Sequence, residues 1–593
     1  MTKALFWLSI FVLTAFSTVA QPNLRYVVRF PQPNTHYAEV ELTISGLNES
    51  VTTLHLPVWT PGSYLVREFA RNIDSFSASV DGKAVPSRKA SKSSWEIDHN
   101  GAKTLTVRYR SYARELTVRT SFVDAEHAYL NGTTLFMYHL DAMKQPHTVT
   151  FEPYVDWKRI STTLPQTGTD PWTRTALDYD QLVDCPVEIG NHEEFSFEAD
   201  GITHMVAMFG IDKYPEKRLK KDYKRIIEAS SKIFGHQPNK AYLFIVHHGL
   251  QGGGGLEHSS STTLQTRPDV YEDDKRYSDF FGLVAHEYFH LWNVKRLRPA
   301  ALGPFDYSKE NYTTMLWFSE GFTSYYDNLL TRRVNLQSEE DYLEVLRSGI
   351  ESVHGAAGDK IQSLAESSWD AWIKFYMRNE NSGNISISYY RKGAMLGLVF
   401  DLALLQASSG KSGLDEFMKK LYDKYYLSLN RGFTDVEFLA ELRAELGSEA
   451  DFIWEKYILG TTQVDFNRYL AHAGMFVQDT NNGSMPYLGA GWQRSGNRFV
   501  VGSIRSGSAA EKAGLNVGDV LLLVNGKEIT DFDAWLKAQK PGDNFTFKVY
   551  RQTRELTFKG VIDAYPVPRY SWKMTENRTP LQTIIYNRIV GRP

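Results

Sequence analysis

The segment His286-Glu287-Tyr288-Phe289-His290 places two histidines four residues apart within a strongly apolar stretch. Four residues make about one turn of α-helix, so both imidazoles leave the same face and can bind one Zn²⁺. Glu287 follows the first histidine directly, where its carboxylate can reach a metal-bound water. The flanks, Phe280 to Ala285 and Leu291-Trp292, are apolar, which predicts a buried helix. Two histidines and a glutamate are costly there unless they are paired or bind a metal.

The third metal ligand must come from elsewhere in the chain. Cys185 is the only cysteine, so a zinc site built on several thiolates is excluded and a histidine or carboxylate is required. Glu320 is the single acid in the aromatic, apolar run from Leu316 to Tyr326, where burial is expensive unless the carboxylate neutralises a cation. We therefore predict one Zn²⁺ per chain, bound by His286, His290 and Glu320, with the fourth position open to water.

Two further segments are typical of a peptide-hydrolysing site. Gly254 and Gly255 end a run of four glycines, where the backbone can approach a ligand, and Glu257 could pair with the free α-amine of a peptide. Tyr390 stands at the start of a predicted helix and could donate a hydrogen bond to the oxyanion that forms when a carbonyl is attacked. Adjacent Tyr389 is an alternative donor. Taken alone, the glycine run could be a flexible loop and the tyrosine a packing residue.

Hydrophobic patterning divides the chain into regions. Residues 1–20 combine Lys3, an apolar run and small residues, as in a signal peptide for export to the periplasm or medium, an uncleaved anchor being the alternative. Residues 21–200 alternate apolar and polar positions, which predicts an antiparallel β domain. Helical spacing dominates much of residues 201–475 and short strands return in 484–565. The prolines of the C-terminal extension, residues 566–593, suggest an extended arm.

Composition limits the partners of the chain. The formal net charge is -3, so no overall basic field is present to attract nucleic acid. Beyond residue 20, no stretch is long and apolar enough to predict a transmembrane helix, so we expect none in the mature chain.

Together these segments resemble the gluzincin peptidases, and more closely the glycyl aminopeptidase family of zinc metallopeptidases with a C-terminal PDZ domain. Residues 56–73 are similar to the N-terminal β-domain signature of that family. Leu488 and Gly489 resemble the carboxylate-binding loop of a PDZ domain, and residues 506–526 resemble the strand, helix and strand that follow it. The resemblance implies a multidomain α+β fold in which a thermolysin-like catalytic domain, α/β plus helical, lies between the N-terminal antiparallel β domain and the PDZ domain.

The resemblance also implies roles for the site residues. His286, His290 and Glu320 would bind zinc, Glu287 would be the general base, and the amine anchor and oxyanion donor would be Glu257 and Tyr390. Substrates would be peptides with a free N-terminus and a small first residue, glycine or alanine. Ser324 stands where the thermolysin branch has an acid, so the partners of the zinc histidines stay unassigned, with Asp327 and Thr323 as candidates.

Three functions are compatible with the sequence. The first is an exported one-zinc aminopeptidase that removes N-terminal residues from peptides. The second is a metalloendopeptidase to which the PDZ domain delivers substrate. The third is a peptide-binding protein without catalytic activity, although the intact His286, Glu287, His290 and Glu320 argue against it. The PDZ domain would bind a peptide C-terminus at Leu488 and Gly489, or else only pack on the catalytic domain.

Overall fold

A computed structural model describes residues 21–592 of the chain. The predicted signal peptide, residues 1–20, lies outside the described residues and stays a prediction. Within residues 21–592, no helix is both long and apolar enough to cross a membrane. The predicted multidomain α+β fold is confirmed: β-sheets come first, a sheet with many helices follows, and a small β domain stands near the end.

The N-terminal region forms three sheets around one apolar core. Its elements are β1 (Asn23–Arg29), β2 (Tyr37–Ser45), β3 (Val51–His55), β4 (Ile73–Val80), β5 (Lys83–Ala84), β6 (Ser87–Ser91), β7 (Ser94–Asp98), β8 (Thr104–Tyr112), β9 (Phe122–Val123), β10 (His127–Leu130), β11 (His147–Glu152), β12 (Arg159–Ser161), β13 (Thr173–Ala176), α1 (Tyr179–Val183) and β14 (Val187–Gly190). The sheet orders are β13-β11-β1-β2-β8-β4-β5, β12-β14-β10-β9 and β3-β7-β6. The pairing is antiparallel as predicted, except that β1 and β11 are parallel.

The hairpin between β4 and β5 follows from two residues of sequence. Asp81 and Gly82 occupy the turn with φ values of 49° and 76°. A two-residue turn with both φ angles positive matches the right-handed twist of the flanking strands, and Asp-Gly is a favoured sequence for it. This local sequence accounts for the hairpin.

The catalytic region begins with a five-stranded sheet. Its strands are β15 (Glu193–Ala199), β16 (Ile202–Phe209), β17 (Ala241–His248), β18 (Gly254–Glu257) and β19 (Ser261–Thr266), in the order β15-β16-β17-β19-β18. β15 lies within the range predicted for the N-terminal domain, yet it pairs with β16 of this sheet. The glycine run that could have been a loop contributes β18, which is the edge strand and runs antiparallel to β19.

Helices cover this sheet and fill the rest of the region. They are α2 (Glu216–Phe234), α3 (Asp274–Phe289), α4 (Thr323–Arg333), α5 (Glu339–Gly355), α6 (Leu364–Trp369), α7 (Ser382–Ile385), α8 (Tyr389–Ala407), α9 (Leu414–Leu421), α10 (Asp435–Leu446), α11 (Ser448–Ile453) and α12 (Phe466–Leu470). Four segments have π-helical hydrogen bonding: Trp317–Phe322, Ala371–Phe375, Tyr422–Ser428 and Trp454–Ile458. The first of them leads directly into α4 and carries Glu320.

A small domain follows β20 (Met475–Asp479). Its elements are β21 (Pro486–Tyr487), β22 (Ala490–Ser495), β23 (Arg498–Ile504), α13 (Ala509–Ala513), β24 (Val520–Val524), α14 (Phe532–Lys537), β25 (Asn544–Arg551), β26 (Arg554–Val561) and β27 (Asp563–Ala564). The domain is built on a five-stranded sheet, in the order β22-β23-β24-β25-β26, and a two-stranded sheet of β21 and β27. The chain then returns through β28 (Tyr570–Met574), which pairs with β20. The small domain is therefore inserted between two strands that pair with each other.

The expectation of an extended C-terminal arm is wrong for its last part. Pro580 opens α15 (Pro580–Ile589), and Thr579 and Gln582 form a capping box at the start of this helix. Proline is well tolerated at the first position of a helix, because the N–H that it lacks would have had no partner there. The proline was therefore a helix-start signal, and Ile585 and Ile589 bury one face of the helix on the catalytic region.

Candidate metal centre and active site

Helix α3 positions the two histidines of the motif, His286 in its last turn and His290 directly after its last residue. The Asp273 side chain caps its first turn by accepting a hydrogen bond from the Arg276 N–H at 2.8 Å. Phe281 and Val284 are fully buried in the catalytic core and fix the orientation of the helix. His290 is the C-cap residue, so both imidazoles lie in the last turn as the spacing predicts.

Glu320 reaches the histidines because two glycines let its segment approach α8 closely. A Cβ on Gly321 would lie 2.5 Å from the Cα of Gly393, and a Cβ on Gly393 would lie 2.6 Å from the carbonyl oxygen of Trp317. Backbones can approach this closely only where side chains are absent. The contact places Glu320 and Tyr390, which lie on the two crossing segments, around the same cavity.

The donor geometry of this cluster fits a tetrahedral zinc ion. Glu320 Oε2 lies 3.5 Å from His286 Nε2 and 3.3 Å from His290 Nε2. Bonds of 2.0 to 2.1 Å to a tetrahedral Zn²⁺ would set its donor atoms about 3.3 to 3.4 Å apart. Glu320 Oε1 is buried and has no hydrogen-bond partner among the described residues, which is costly unless a cation satisfies it.

The other nitrogen of each histidine is bound, so the Nε2 atoms are left for a metal. His286 Nδ1 lies 3.0 Å from Asp327 Oδ2, and His290 Nδ1 lies 2.6 Å from the carbonyl oxygen of Asn293. Such partners fix the tautomer and the ring orientation of a metal-binding histidine. Asp327 was one of the two candidates from the sequence. The other, Thr323, lies 3.5 Å from His290 Nδ1, at the limit of hydrogen-bond distance.

A second group of two histidines and a glutamate shows a different geometry. His127 Nδ1 lies 2.6 Å from Glu188 Oε1, and His247 Nε2 lies 2.8 Å from Glu188 Oε2. These are hydrogen-bond lengths, shorter than the separation of two ligands on one zinc ion. Burial opposes ionisation of Glu188, but the two imidazoles outweigh it and hold its pKa below the usual range. This group ties β10 and β14 to β17.

Three buried carboxylates, those of Glu257, Glu287 and Glu320, lie close together in the cavity. One oxygen of Glu257, one of Glu287 and a ring nitrogen of His290 lie within 4.8 Å of one another, and Glu320 is beside them. Burial raises the pKa of Glu287, although the two nearby imidazoles partly oppose this. For Glu320 the imidazoles outweigh burial and lower the pKa. A metal ion and the ammonium group of a peptide are two cations that would neutralise these acids.

Glycines surround the carboxylates at positions where no side chain fits. A Cβ on Gly255 of β18 would clash with the Glu287 carboxylate. A Cβ on Gly62, from the N-terminal domain, would lie 2.5 Å from Glu257 Oε1, and its φ of 86° also favours glycine. Gly62 lies within the segment that resembles the family signature, but the sequence did not identify it as a site residue. Gly254 lines the same cavity.

The residues predicted from separate segments line one open cavity of about 600 Å³. Tyr390 lines it, whereas the neighbouring Tyr389 is fully buried and does not, so of the two only Tyr390 can contact a ligand in this cavity. Tyr376 and Arg119 also line the cavity, and the sequence identified neither of them. Arg119 comes from the N-terminal domain, so its position depends on how the two domains pack.

Leu488 and Gly489 are not part of this cavity. They precede β22, the edge strand of the small domain, whose core is separate from that of the catalytic region. Gly489 has a φ of 77°, and a Cβ there would clash with Ser508. An amide-rich turn before an open edge strand is the arrangement with which PDZ domains bind peptides.

Comparison with known sequence families assigns three parts of the chain. Residues 25–191 match the peptidase M61 N-terminal domain, residues 279–396 match the M61 glycyl aminopeptidase family, and residues 486–560 match the PDZ domain. The second match includes His286, Glu287, His290, Glu320 and Tyr390. No curated protein sequence matches the chain.

A solved structure with the same architecture is that of an aminopeptidase N family protein from Idiomarina loihiensis. It is 29% identical, with a TM-score of 0.88, and the match covers 95% of this chain and 99% of that one. An M1 zinc metallopeptidase from Deinococcus radiodurans is 14% identical, with a TM-score of 0.47, over 74% of this chain and 95% of that one. The family matches and the similarity to the Idiomarina protein identify the chain as a zinc metallopeptidase whose catalytic segment matches the M61 glycyl aminopeptidase family, with an M61 N-terminal domain before it and a PDZ domain after it.

Proposed function

We propose that the chain is an exported aminopeptidase that uses one zinc ion, bound by His286, His290 and Glu320, to remove small N-terminal residues from peptides. The observation that carries this proposal is the position of Glu257, a buried acid with no ion pair among residues 21–592, beside Glu287 and His290. A carboxylate there would bind the α-ammonium of a peptide and place the first peptide bond at the metal centre. The preference for glycine is supported by the match to the M61 glycyl aminopeptidase family, and alanine is proposed as the next smallest residue.

The residues around the metal site have separate roles in hydrolysis. When bound, zinc acts as a Lewis acid on the scissile carbonyl and lowers the pKa of a water molecule that it holds. Glu287 accepts the proton of the attacking water and passes it to the leaving amine. Tyr390 donates a hydrogen bond to the oxygen on which negative charge develops. Glu257 and the backbone of Gly255 hold the substrate so that only its first peptide bond meets these groups.

A pair of substrates that differ only at the N-terminus tests this proposal. We expect alanine p-nitroanilide to be hydrolysed and its N-acetyl derivative to be hydrolysed at least 100-fold more slowly, because acetylation removes the charge that Glu257 binds. Glu257→Gln should raise KM for the free amine about 10- to 100-fold and reduce the discrimination between the two substrates. An exposed acid in the same region, Glu272, provides the matched control Glu272→Gln.

Two results would contradict the proposal. Equal hydrolysis of the acetylated and free substrates would support the metalloendopeptidase alternative. Peptide binding without hydrolysis of either substrate, in a preparation that contains one zinc per chain, would support the peptide-binding alternative. Export rests on the predicted signal in residues 1–20, and we expect N-terminal sequencing of the mature protein to begin at Gln21.

We further propose that the PDZ domain binds the C-terminal carboxylate of peptides at the turn formed by Leu488 and Gly489. The open edge of β22 supports this, because an extended peptide can add to it as a further strand. We expect a labelled, N-acetylated ten-residue peptide with a free carboxylate to bind the Glu287→Gln chain at least 10-fold more tightly than its C-terminal amide, measured by fluorescence anisotropy. Equal affinities would mean that the domain has no carboxylate-binding role.

A further inference from the structure

Edge strand β18 gives a direction to any peptide that is bound by Glu257. Glu257 is the last residue of the strand, and Gly255, which lies against Glu287, comes two residues earlier. A substrate whose amine is held at Glu257 therefore meets the reacting groups near Gly255. Its remaining residues must continue toward Gly254, where the strand begins. The peptide thus runs antiparallel to β18, and its C-terminal part lies near the first residues of the strand.

A turn of the N-terminal domain stands at that end of β18. The Leu116 carbonyl accepts a hydrogen bond from Gln265 Nε2 at 3.2 Å, and Gln265 is paired with Gly254 across the two strands. The Tyr129 hydroxyl donates to the Val118 carbonyl at 3.3 Å, and the Val118 side chain is fully buried. The turn is therefore attached to the catalytic sheet rather than free in solvent.

Arg119 occupies this turn and faces the cavity. The N–H of Arg119 donates to Thr117 Oγ1 at 3.2 Å, which fixes the backbone of the turn. Among the described residues that line the cavity, Arg119 is the only lysine or arginine. It has no carboxylate within ion-pair distance in residues 21–592, and its Nε is buried without a hydrogen-bond partner. A guanidinium in this state would be stabilised by a carboxylate from a ligand.

Arg67 adds a second positive charge nearby. It also forms no ion pair in the described part of the chain, and its side-chain hydrogen bond goes to the carbonyl of Leu65. Burial lowers the pKa of Arg67 to about 10, and repulsion from Arg119 adds to this effect. Arg119 thus lines the same cavity as the acids of the metal centre, and Arg67 lies close enough to Arg119 to add to the positive charge there.

The length of β18, from Glu257 to the end that adjoins the turn of Arg119, corresponds to a short peptide. From Glu257 to Gly254 there are three residue steps, which span about 10 Å in a strand. An extended tripeptide has about the same length between its amine and its carboxylate. We propose that Arg119 binds the C-terminal carboxylate of tripeptide substrates and makes the enzyme favour short peptides. This inference rests on the proposed aminopeptidase function, because the direction of the peptide is set by Glu257.

Three substrates test the proposal on the wild-type enzyme. We expect kcat/KM for glycyl-alanyl-alanine to exceed that for its C-terminal amide by about 10- to 100-fold, with the difference mainly in KM. For a third substrate, the amide of glycyl-alanyl-glutamate, kcat/KM should be close to that of the glycyl-alanyl-alanine amide. If its kcat/KM instead equals that of the free acid, the site binds any carboxylate and the proposal that it binds a terminal carboxylate is wrong.

Variants of Arg119 test whether this residue binds the C-terminal carboxylate. In Arg119→Met, the ratio of kcat/KM for the free acid to kcat/KM for the amide should fall close to 1. Arg119→Lys should keep part of the wild-type ratio, because the positive charge remains. Arg114 lies on the same segment with its guanidinium over the Phe122 ring, so Arg114→Met is the matched control and should retain the full ratio. If the ratio survives in Arg119→Met, another residue binds the carboxylate.

The failure of this inference can be told apart from failure of the proposed function. Alanine p-nitroanilide has a free amine but no carboxylate. If the wild-type enzyme hydrolyses it and yet treats the tripeptide and its amide alike, the aminopeptidase stands and the role of Arg119 is wrong. If neither the anilide nor the peptides are hydrolysed by the zinc-loaded enzyme, the proposed function itself is wrong.

Discussion

Glu287→Gln is expected to lower kcat by about 100- to 10,000-fold while the protein keeps its metal. Glutamine has nearly the same shape, so it fits beside Gly255, but its amide cannot accept a proton from the attacking water. Glu287 is not one of the three proposed ligands, so the metal content should stay close to one zinc per chain. Both quantities can be measured on one preparation, with alanine p-nitroanilide for kcat and mass spectrometry for zinc.

The control for this variant is an acid outside the cavity. Glu272 is exposed and forms no ion pair in the described residues, so Glu272→Gln should leave both kcat and zinc content unchanged. A Glu287→Gln enzyme that retained more than a tenth of the wild-type kcat would rule out Glu287 as the general base. Loss of zinc from this variant would point instead to a role as ligand.

His290→Ala is expected to remove the metal and with it all measurable hydrolysis. His290 is almost completely buried, and its two ring nitrogens face Glu320 and the Asn293 carbonyl. Alanine leaves Glu320 with one imidazole instead of two. Zinc per chain should fall from about one to near zero. Because a ligand stabilises the state that binds it, a chelator should lower the Tm of the wild-type protein but not that of the variant.

A variant with a partial loss of zinc affinity would distinguish a residue that orients a ligand from a ligand itself. Asp327 contacts His286 Nδ1, on the side away from the proposed metal, so Asp327→Ala should weaken zinc binding by about 10- to 100-fold without abolishing it. Competition with a chelator of known affinity measures this change. His472→Ala, on a part-exposed turn outside the cavity, serves as the histidine control. A His290→Ala protein that still bound one zinc would overturn the ligand assignment.

The sequence predicted those parts of the site whose signals are local. Two histidines at helical spacing lie on one helix whatever the rest of the chain does, so α3 and its metal-facing side followed from five residues. Glu320 was identified because an acid in an apolar run needs a buried cation. Tyr390 was predicted at the start of a helix, and α8 does begin there, with Ser388 as its capping residue.

The parts that the sequence did not predict depend on contacts between distant segments. Gly62 and Arg119 reach the cavity from the N-terminal domain. The sequence pattern around each of them gives no sign that it lies near Glu257 or β18. The partner of His290 is a backbone carbonyl, for which the residue type at position 293 gives no signal. The glycine run forms an edge strand because β19 lies beside it, a tertiary effect that outweighs the low strand propensity of glycine.

The pairing of β20 with β28 means that two covalent tethers join the PDZ domain to the catalytic region. Asn481 in the first tether donates hydrogen bonds to the carbonyls of Tyr565 and Val567 in the second, at 2.9 and 2.8 Å, so the tethers run side by side. Asn384 of α7 also donates to the Ile504 carbonyl at 2.8 Å and accepts from the Ser506 N–H at 3.0 Å, so the domain is held to the catalytic region both by the paired tethers and by this second contact. A proteolytic nick in one tether would leave the domain attached through the other.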